Sequence, residues 1–432
     1  MGIALLIVLF IAYALLSRKL EHSSVTGPMI FTAAGVVTAL VLIGRGASVE
    51  ALSLDIRSDA VQVLLEVTLV IILFSDAVLI DVRAIRRDAF LPGRLLGIGL
   101  PLTILAGTVV AMALVPGLGF WPAAVIAVIL APTDAALGQA VLANDNVPDV
   151  VRQGLGVESG LNDGIAVPFL AIAVAGAADE MRSGTEIATV FLQEIGLAVI
   201  IGLLVGWLGA LSIRYAYDNG WMTRGWRQVT VIFLALLSFA LADPLGGSGF
   251  IAAFVGGLTF GANVRDEYPD IDNFSEGVGH LLTMLTFFVF GALILTPALD
   301  VITWQIVFYA VLSLTIVRMI PVAVALFGTG LGSPTQVYIG WFGPRGLASL
   351  VFMGTVVVDA APDEASVIIA ISAATVGLSV LLHGLSAWPA SVRYAAWYAR
   401  SAGAPDKEEM PESQKVQHMP ASKLLGRLRR TM

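Results

Sequence analysis

The chain contains no cysteine, only four histidines and, among 432 residues, a charged fraction of 13%, about half that of an ordinary soluble domain. Each shortage excludes a class of chemistry. Without cysteine there are no disulfides, thiolate metal sites or iron–sulfur clusters, and His22, His280, His383 and His418 are too scattered for a metal-ligand pattern. The shortage of charge is matched by an apolar surplus, 57% of the chain with a mean hydropathy of +0.88, more than one soluble core could hide. At about 20 residues per spanning helix the length accommodates a dozen or more spans, so the composition is that of a polytopic membrane protein. The net charge of −8 says little about partners, because in such a protein the placement of charge matters more than its sum.

Apolar runs between polar punctuation predict thirteen helices, over 2–16, 27–43, 61–80, 93–114, 120–142, 149–176, 185–212, 227–242, 247–262, 275–297, 302–328, 335–358 and 364–388. The first run is short enough for a secretory leader. It has no basic segment before it, Arg18 and Lys19 behind it and no small-residue cleavage site, and so reads as an uncleaved anchor with its N-terminus outside. Distributed over alternate sides of these spans, 19 of the 24 Lys and Arg fall on the side of the C-terminus and three, Arg45, Arg57 and Arg182, on the other. That bias assigns the basic side and the tail to the cytoplasm of a plasma membrane. The remaining two, Arg318 and Arg345, lie inside spans.

Two spans carry breakers at mid-depth, the fifth in AVILAPTDAALG and the twelfth in YIGWFGPRGLAS. Proline removes a backbone donor and clashes with the preceding turn, and irregular backbone at that depth is tolerated only around a protein-lined cavity. The breaks are seven helices apart, an odd displacement, so they enter the membrane in opposite directions. Two six-helix units of inverted topology joined by the seventh helix explain this, and secondary transporters build midplane sites from such repeats.

Charge at bilayer depth costs at least ~2.5–3.5 kcal/mol per residue, so what remains there is a functional candidate. The candidates are Asp76 in helix three, Asp134 at the break of helix five, Glu158 and Asp163 in helix six, and Arg345 at the break of helix twelve. Glu66, Glu194 and Arg318 are read as pairing or capping groups inside the bundle. Helix six is the most informative, with GVESGLNDGIAVPF over 156–169. Ser159 and Asp163, four apart, share one face; Glu158 and Asn162 form the neighbouring row. A hydroxyl and a carboxylate in one row suit a hard cation that takes oxygen ligands. Asp134 follows Pro132 and Thr133, beside the freed backbone of a discontinuous helix, where half-helix N-termini stabilise an acid. Arg345 is read as neutralising half-helix C-termini or pairing with a buried acid.

VESGLNDGIAVPF, the Pro-Thr-Asp of helix five and the Gly-Pro-Arg-Gly of helix twelve resemble the sodium/proton antiporters of the NhaP and NHE group, within the monovalent cation:proton antiporter superfamily, over roughly residues 1–388. The resemblance implies an all-α homodimer of thirteen-helix protomers with crossed discontinuous helices 5 and 12. It also implies dimerisation helices at about 1–80 and 185–297, a mobile core at about 93–176 and 302–388, and a cytoplasmic tail over 389–432. It places the shared cation and proton carboxylate on Asp163 and supporting sodium ligands on Asp134, Thr133 and Ser159, with Asn162 and Asp76 in the site and Glu158 and Arg345 as an ion pair. Asp76 stands where the group often has Glu, and Pro344 where it usually has Leu. No cofactor is implied beyond the transported sodium and protons, and no partner beyond a second copy and membrane lipid. The basic segment KLLGRLRR over 423–430 has leucines at helical spacing suited to an anionic leaflet.

A carboxylate held away from water binds a proton or a dehydrated cation but not both, and competition for one group is itself the coupling. With Asn162 unable to titrate, Asp163 alone exchanges one charge each way, so electroneutral exchange of sodium, lithium or potassium for protons is expected. A sodium-coupled organic-solute symporter of similar crossed-helix fold is the alternative; it needs a roomy anion pocket, whereas the candidate residues are net acidic. Enzymatic use of the two aspartates as an aspartyl protease is disfavoured by Thr133-Asp134 and Leu161-Asn162-Asp163, which lack the Tyr-Asp and Gly-x-Gly-Asp signatures.

Overall fold

A computed structural model describes residues 2–20, 23–46, 58–80, 90–134, 137–138, 141, 144, 146–178, 184–265, 267–268, 271 and 273–402. Among these residues every element is helical. Nine helices are long and apolar enough to cross a membrane, and three shorter apolar helices accompany them.

The first three helices are α1 (Gly2–Leu20), α2 (Gly27–Gly44) and α3 (Asp59–Leu79), followed by α4 (Phe90–Leu114) and α5 (Phe120–Ile129). Then come α6 (Asp149–Ala177), α7 (Gly184–Asp218), α8 (Arg224–Ala242), α9 (Gly249–Val264) and α10, which begins as Asn273–Val289 and ends at Ala298. Helix α11 (Trp304–Ala325) precedes the interrupted α12, made of α12a (Ser333–Trp341) and α12b (Leu347–Asp359), and α13 (Pro362–Ala402) closes the order. Helix is found within each expected span among the described residues, although the fifth, expected over 120–142, is helical over Phe120–Ile129 and not over 130–134. Starts obey local chemistry: Thr26 accepts from the amide of Met29 with Pro28 in the first turn of α2, and Ser248 accepts from the amide of Ile251 at the start of α9, supplying partners that lipid does not.

Glycines draw one group of helices together. Gly257 and Gly261 of α9 let its backbone lie against the carbonyls of Phe74 and Val78 in α3. Gly202 and Gly206 of α7 do the same against Ala252 and Gly256 of α9, and Gly35 and Gly291 press α2 and α10 together. Spacing of four between small residues is the usual device for close packing where lipid removes the hydrophobic driving force between helices. Two helices carry π-type turns, α4 at Leu95–Gly99 and α10 at Phe290–Leu295.

The second group contains the two breaks. Helix α5 stops at Ile129, and its last residues before the break run on non-helically to Asp134. The non-helical stretch of α12 covers 342–346. Helix α13 continues to Ala402, well past the expected end at 388. The extra turns are held by contacts with α12a: Tyr394 stacks on Tyr338 at 4.2 Å and its hydroxyl meets Thr335 at 3.0 Å, while Tyr338 reaches Ser391 at 2.8 Å. At 41 residues the helix is about 60 Å long, twice the ~30 Å hydrocarbon thickness. The basic segment over 423–430, with the rest of the tail from 403, lies outside the described residues, as do Arg57, Arg83, Arg86, Arg87 and Arg182.

Candidate functional site

The breaks of α5 and α12 cross and bond to each other. The amide of Asp134 donates to the carbonyl of Pro344 at 2.8 Å, and the amide of Leu347 donates to Asp134 Oδ2 at 2.8 Å. Asp134 therefore caps α12b at its N-terminus, where the exposed amides and the helix dipole favour an anion. In the opposite sense, Arg345 Nη1 donates to the carbonyls of Ala131 and Pro132, two acceptors that the end of α5 leaves unsatisfied. Each interrupted helix is thus finished by a charged side chain from the other.

The two glycines of Gly-Pro-Arg-Gly make this crossing feasible. A Cβ on Gly346 would overlap Asp134 Oδ2, and one on Gly343 would overlap Arg318 Nε. Any side chain there would displace a buried charged group.

Helix α6 brings its polar rows to the crossing. Ser159 Oγ lies 3.1 Å from Thr133 Oγ1, and Asn162 Nδ2 donates to Thr133 Oγ1 at 2.6 Å. Thr133, Ser159 and Asn162 are buried, so the hydroxyls form a small network fixed from two helices. Asp163, one turn past Ser159, keeps a buried Oδ1 that accepts no hydrogen bond, as does Asn162 Oδ1. Asp163 lies within electrostatic reach of Asp134 and Asp76. Asp76 on α3 packs over Gly160, its Cβ 3.9 Å from where a Cβ would stand. A small cavity between α5, α6 and α12 has Asp134 and Ser159 on its polar wall and Leu155, Phe342 and Pro344 on its apolar one. Among the described residues no three His, Cys, Asp or Glu side chains form a metal-binding group; the unpartnered oxygens are a carboxylate and an amide, which with the linked hydroxyls make an all-oxygen donor set for a hard cation.

The structure therefore brings together Thr133, Asp134, Ser159, Asn162 and Asp163, with Asp76 alongside. The ion pair of Glu158 requires correction: its partner is Arg318, not Arg345. Arg318 Nη1 lies 2.6 Å from Glu158 Oε1 and Nη2 donates to Oε2 at 2.8 Å, both side chains almost fully buried. Helix α11 presents Arg318 to the face of α6 that carries Glu158, while Arg345 is occupied by the carbonyls ending α5. The expectation that Arg318 pairs inside the bundle agrees with this geometry. Ser379 of α13, which accepts the Arg345 amide at 2.7 Å, was missed from the sequence; its signal is the Ser379 and His383 row, four apart, His383 being the one histidine of that span.

The sodium/hydrogen exchanger transmembrane family model matches residues 5–392. The chain is 30% identical over 176 residues to the K(+)/H(+) antiporter NhaP2 of Shewanella sp. (strain MR-4), covering 40% of this chain and 30% of that protein. It is 26% identical over 258 residues to Na(+)/H(+) antiporter 2 of Zygosaccharomyces rouxii, covering 55% and 31%. The aligned segments span about a third of these relatives' own length. In fold the chain is similar to the sodium proton antiporter MjNhaP1 of Methanocaldococcus jannaschii at pH 8, with a TM-score of 0.72 at 19% identity over 91% of this chain and 97% of that one. A family match over nearly the whole membrane region, joined to crossed helix breaks that meet at a buried acid, shows that the chain belongs to the sodium/hydrogen exchanger transmembrane family.

Proposed function

We propose that the protein is a secondary active antiporter that exchanges a monovalent cation, sodium first among lithium and potassium, for protons by alternating access. The observation that carries this reading is the buried, unpartnered Oδ1 of Asp163, one helical turn past Ser159, whose hydroxyl is linked to Thr133 and through it to Asn162, itself with an unpartnered Oδ1. Carboxylate, amide and hydroxyl oxygens together replace part of an ion's hydration shell, and the same carboxylate holds a proton when the ion leaves. Asp134, fixed by α12b, adds negative charge close by; Asp76 supplies more from α3.

In this reading α4–α6 and α11–α13 form the moving core, and α1–α3 with α7–α10 form the static part through which two copies associate as a homodimer. The glycine-mediated packing of α3, α7 and α9 supports a rigid static unit, and the arginine bias supports a cytoplasmic C-terminus. Proteoliposomes carrying an imposed pH gradient and a panel of sodium, lithium and potassium test the proposal. Wild type is expected to move protons against at least one of these cations, and Asp163→Asn, which keeps shape but neither titrates nor neutralises an ion, to lose exchange while remaining folded. Sodium-driven proton movement in that variant would refute the assignment.

A further inference from the structure

We infer that His383, acting with Ser379, is a positioning residue that staples the end of α12a to the break that follows it and thereby orients Asp134; this rests on the exchange activity proposed above. His383 lies on α13, 1% exposed, with Nε2 3.0 Å from the carbonyl oxygen of Trp341, the last residue of α12a. A carbonyl only accepts, so Nε2 carries the proton. In a neutral ring Nδ1 is then an acceptor, and the Ser379 hydroxyl, one turn earlier and 3.1 Å away, donates to it. That hydroxyl oxygen in turn accepts the amide of Arg345 at 2.7 Å. The thread runs from Arg345 N–H through Ser379 Oγ–H to His383 Nδ1, and from Nε2–H to the Trp341 carbonyl.

Its two ends are the carbonyl of Trp341, just before the non-helical stretch 342–346, and the amide of Arg345 inside it, the pair that an unbroken helix would bond to each other. A broken helix leaves such groups without helical partners, and at membrane depth protein must supply them. The Ser379 hydroxyl does so for the Arg345 amide, and the imidazole joins the Gly343 amide at the Trp341 carbonyl. The other tautomer would direct Nδ1–H to the Ser379 carbonyl, 3.2 Å away, and leave the Trp341 carbonyl facing a bare ring nitrogen. Trp341 reinforces the arrangement: its ring centroid is 5.0 Å from that of His383, and its Nε1 donates to Ser386 Oγ at 2.9 Å.

Asp134 is bound to the stapled segment and its immediate sequel. Pro344, whose carbonyl accepts the Asp134 amide, lies inside the staple, and Leu347, whose amide holds Asp134 Oδ2, is two residues beyond Arg345. His383 never touches the ion, yet removing it takes one donor from the Trp341 carbonyl and the acceptor that orients the Ser379 hydroxyl under the Arg345 amide, and so loosens the acid beside the ion. The consequence falls on ion affinity more than on turnover.

Two experiments test this. In protein labelled with nitrogen-15 histidine and reconstituted in lipid, the resonances lost in His383→Gln identify the ring; the Nε2-protonated tautomer is expected, and the Nδ1-protonated one overturns the staple. In proteoliposomes, His383→Leu should raise the apparent KM for the transported cation about fivefold, the effect of one lost hydrogen bond at the Trp341 carbonyl, which keeps only the Gly343 amide, with kcat changed far less. His383→Gln should stay near wild type, because its amide offers both a donor for Trp341 and an acceptor for Ser379. An unchanged KM in His383→Leu, or equal damage in both variants, overturns the inference. Absence of exchange in wild type would defeat the proposed function alone, and the tautomer, read without transport, would still decide whether the staple exists.

Discussion

Glu158 and Arg318 are expected to behave as one energetic unit, and Glu158 and Arg345 are not. The first pair is bidentate, with contacts of 2.6 and 2.8 Å between side chains only 2–3% exposed, so neither charge has water to fall back on. Removing one partner leaves an uncompensated buried charge, which costs ~3–5 kcal/mol, whereas replacing both with apolar residues of similar volume can be nearly neutral. With an unfolding entropy of ~2.1 cal/mol/K per residue, a chain of this length loses roughly 1 °C of melting midpoint per kcal/mol. Glu158→Leu and Arg318→Met alone should therefore lower the midpoint by about 3–5 °C each, and the double variant should recover most of the loss. In the parallel cycle with Arg345→Met, the broken bonds are those to Ala131 and Pro132, which Glu158 does not share; only the through-space attraction between the two charges remains, so the coupling should be much smaller. The assay is the thermal midpoint of all six proteins in one detergent at one heating rate. Equal coupling in the two cycles, or recovery only with Arg345→Met, would refute the pairing.

Ser159→Ala removes one oxygen from the Thr133 network and should raise the apparent KM for the cation more than it lowers maximal rate; an unchanged KM removes Ser159 from the site. Gly346→Ala places a methyl group on Asp134 Oδ2, and exchange assays should show a loss approaching that of a direct Asp134 substitution, whereas near-normal transport would mean that the crossing can yield. Exchange should be electroneutral, because Asp163 alone alternates between a proton and a monovalent cation. Measured with the membrane potential clamped by potassium and valinomycin, the sodium gradient that balances a fixed pH gradient should not move with voltage; if it does, Asp134 carries a second proton. Deletion of 411–432 should leave exchange intact in the same vesicles.

The sequence by itself determined the membrane class, the placement of helices and the positions of the two breaks, because these follow from local quantities: hydropathy over a span, proline within it, and the periodicity of α6. It also singled out the residues of the candidate site, since a polar group at membrane depth is conspicuous against an apolar background. What only the tertiary structure decided is which of these groups meet. Glu158 had two buried arginines to choose from, 160 and 187 residues away, and nothing in spacing separates them; the approach of α11 to α6 assigns Arg318, and the crossing of the breaks occupies Arg345 with carbonyls. His383 looked isolated for the same reason. Its partners, Trp341 and, through Ser379, Arg345, belong to the interrupted α12, 42 residues away at the direct contact with Trp341. The glycines of the twelfth helix read as breakers in sequence, but their need arises from Asp134 and Arg318, which only the folded chain brings against them. Hydropathy and periodicity act along one helix, whereas desolvated charges and orphaned backbone groups are satisfied between helices, and that second set of pairings exists only in three dimensions.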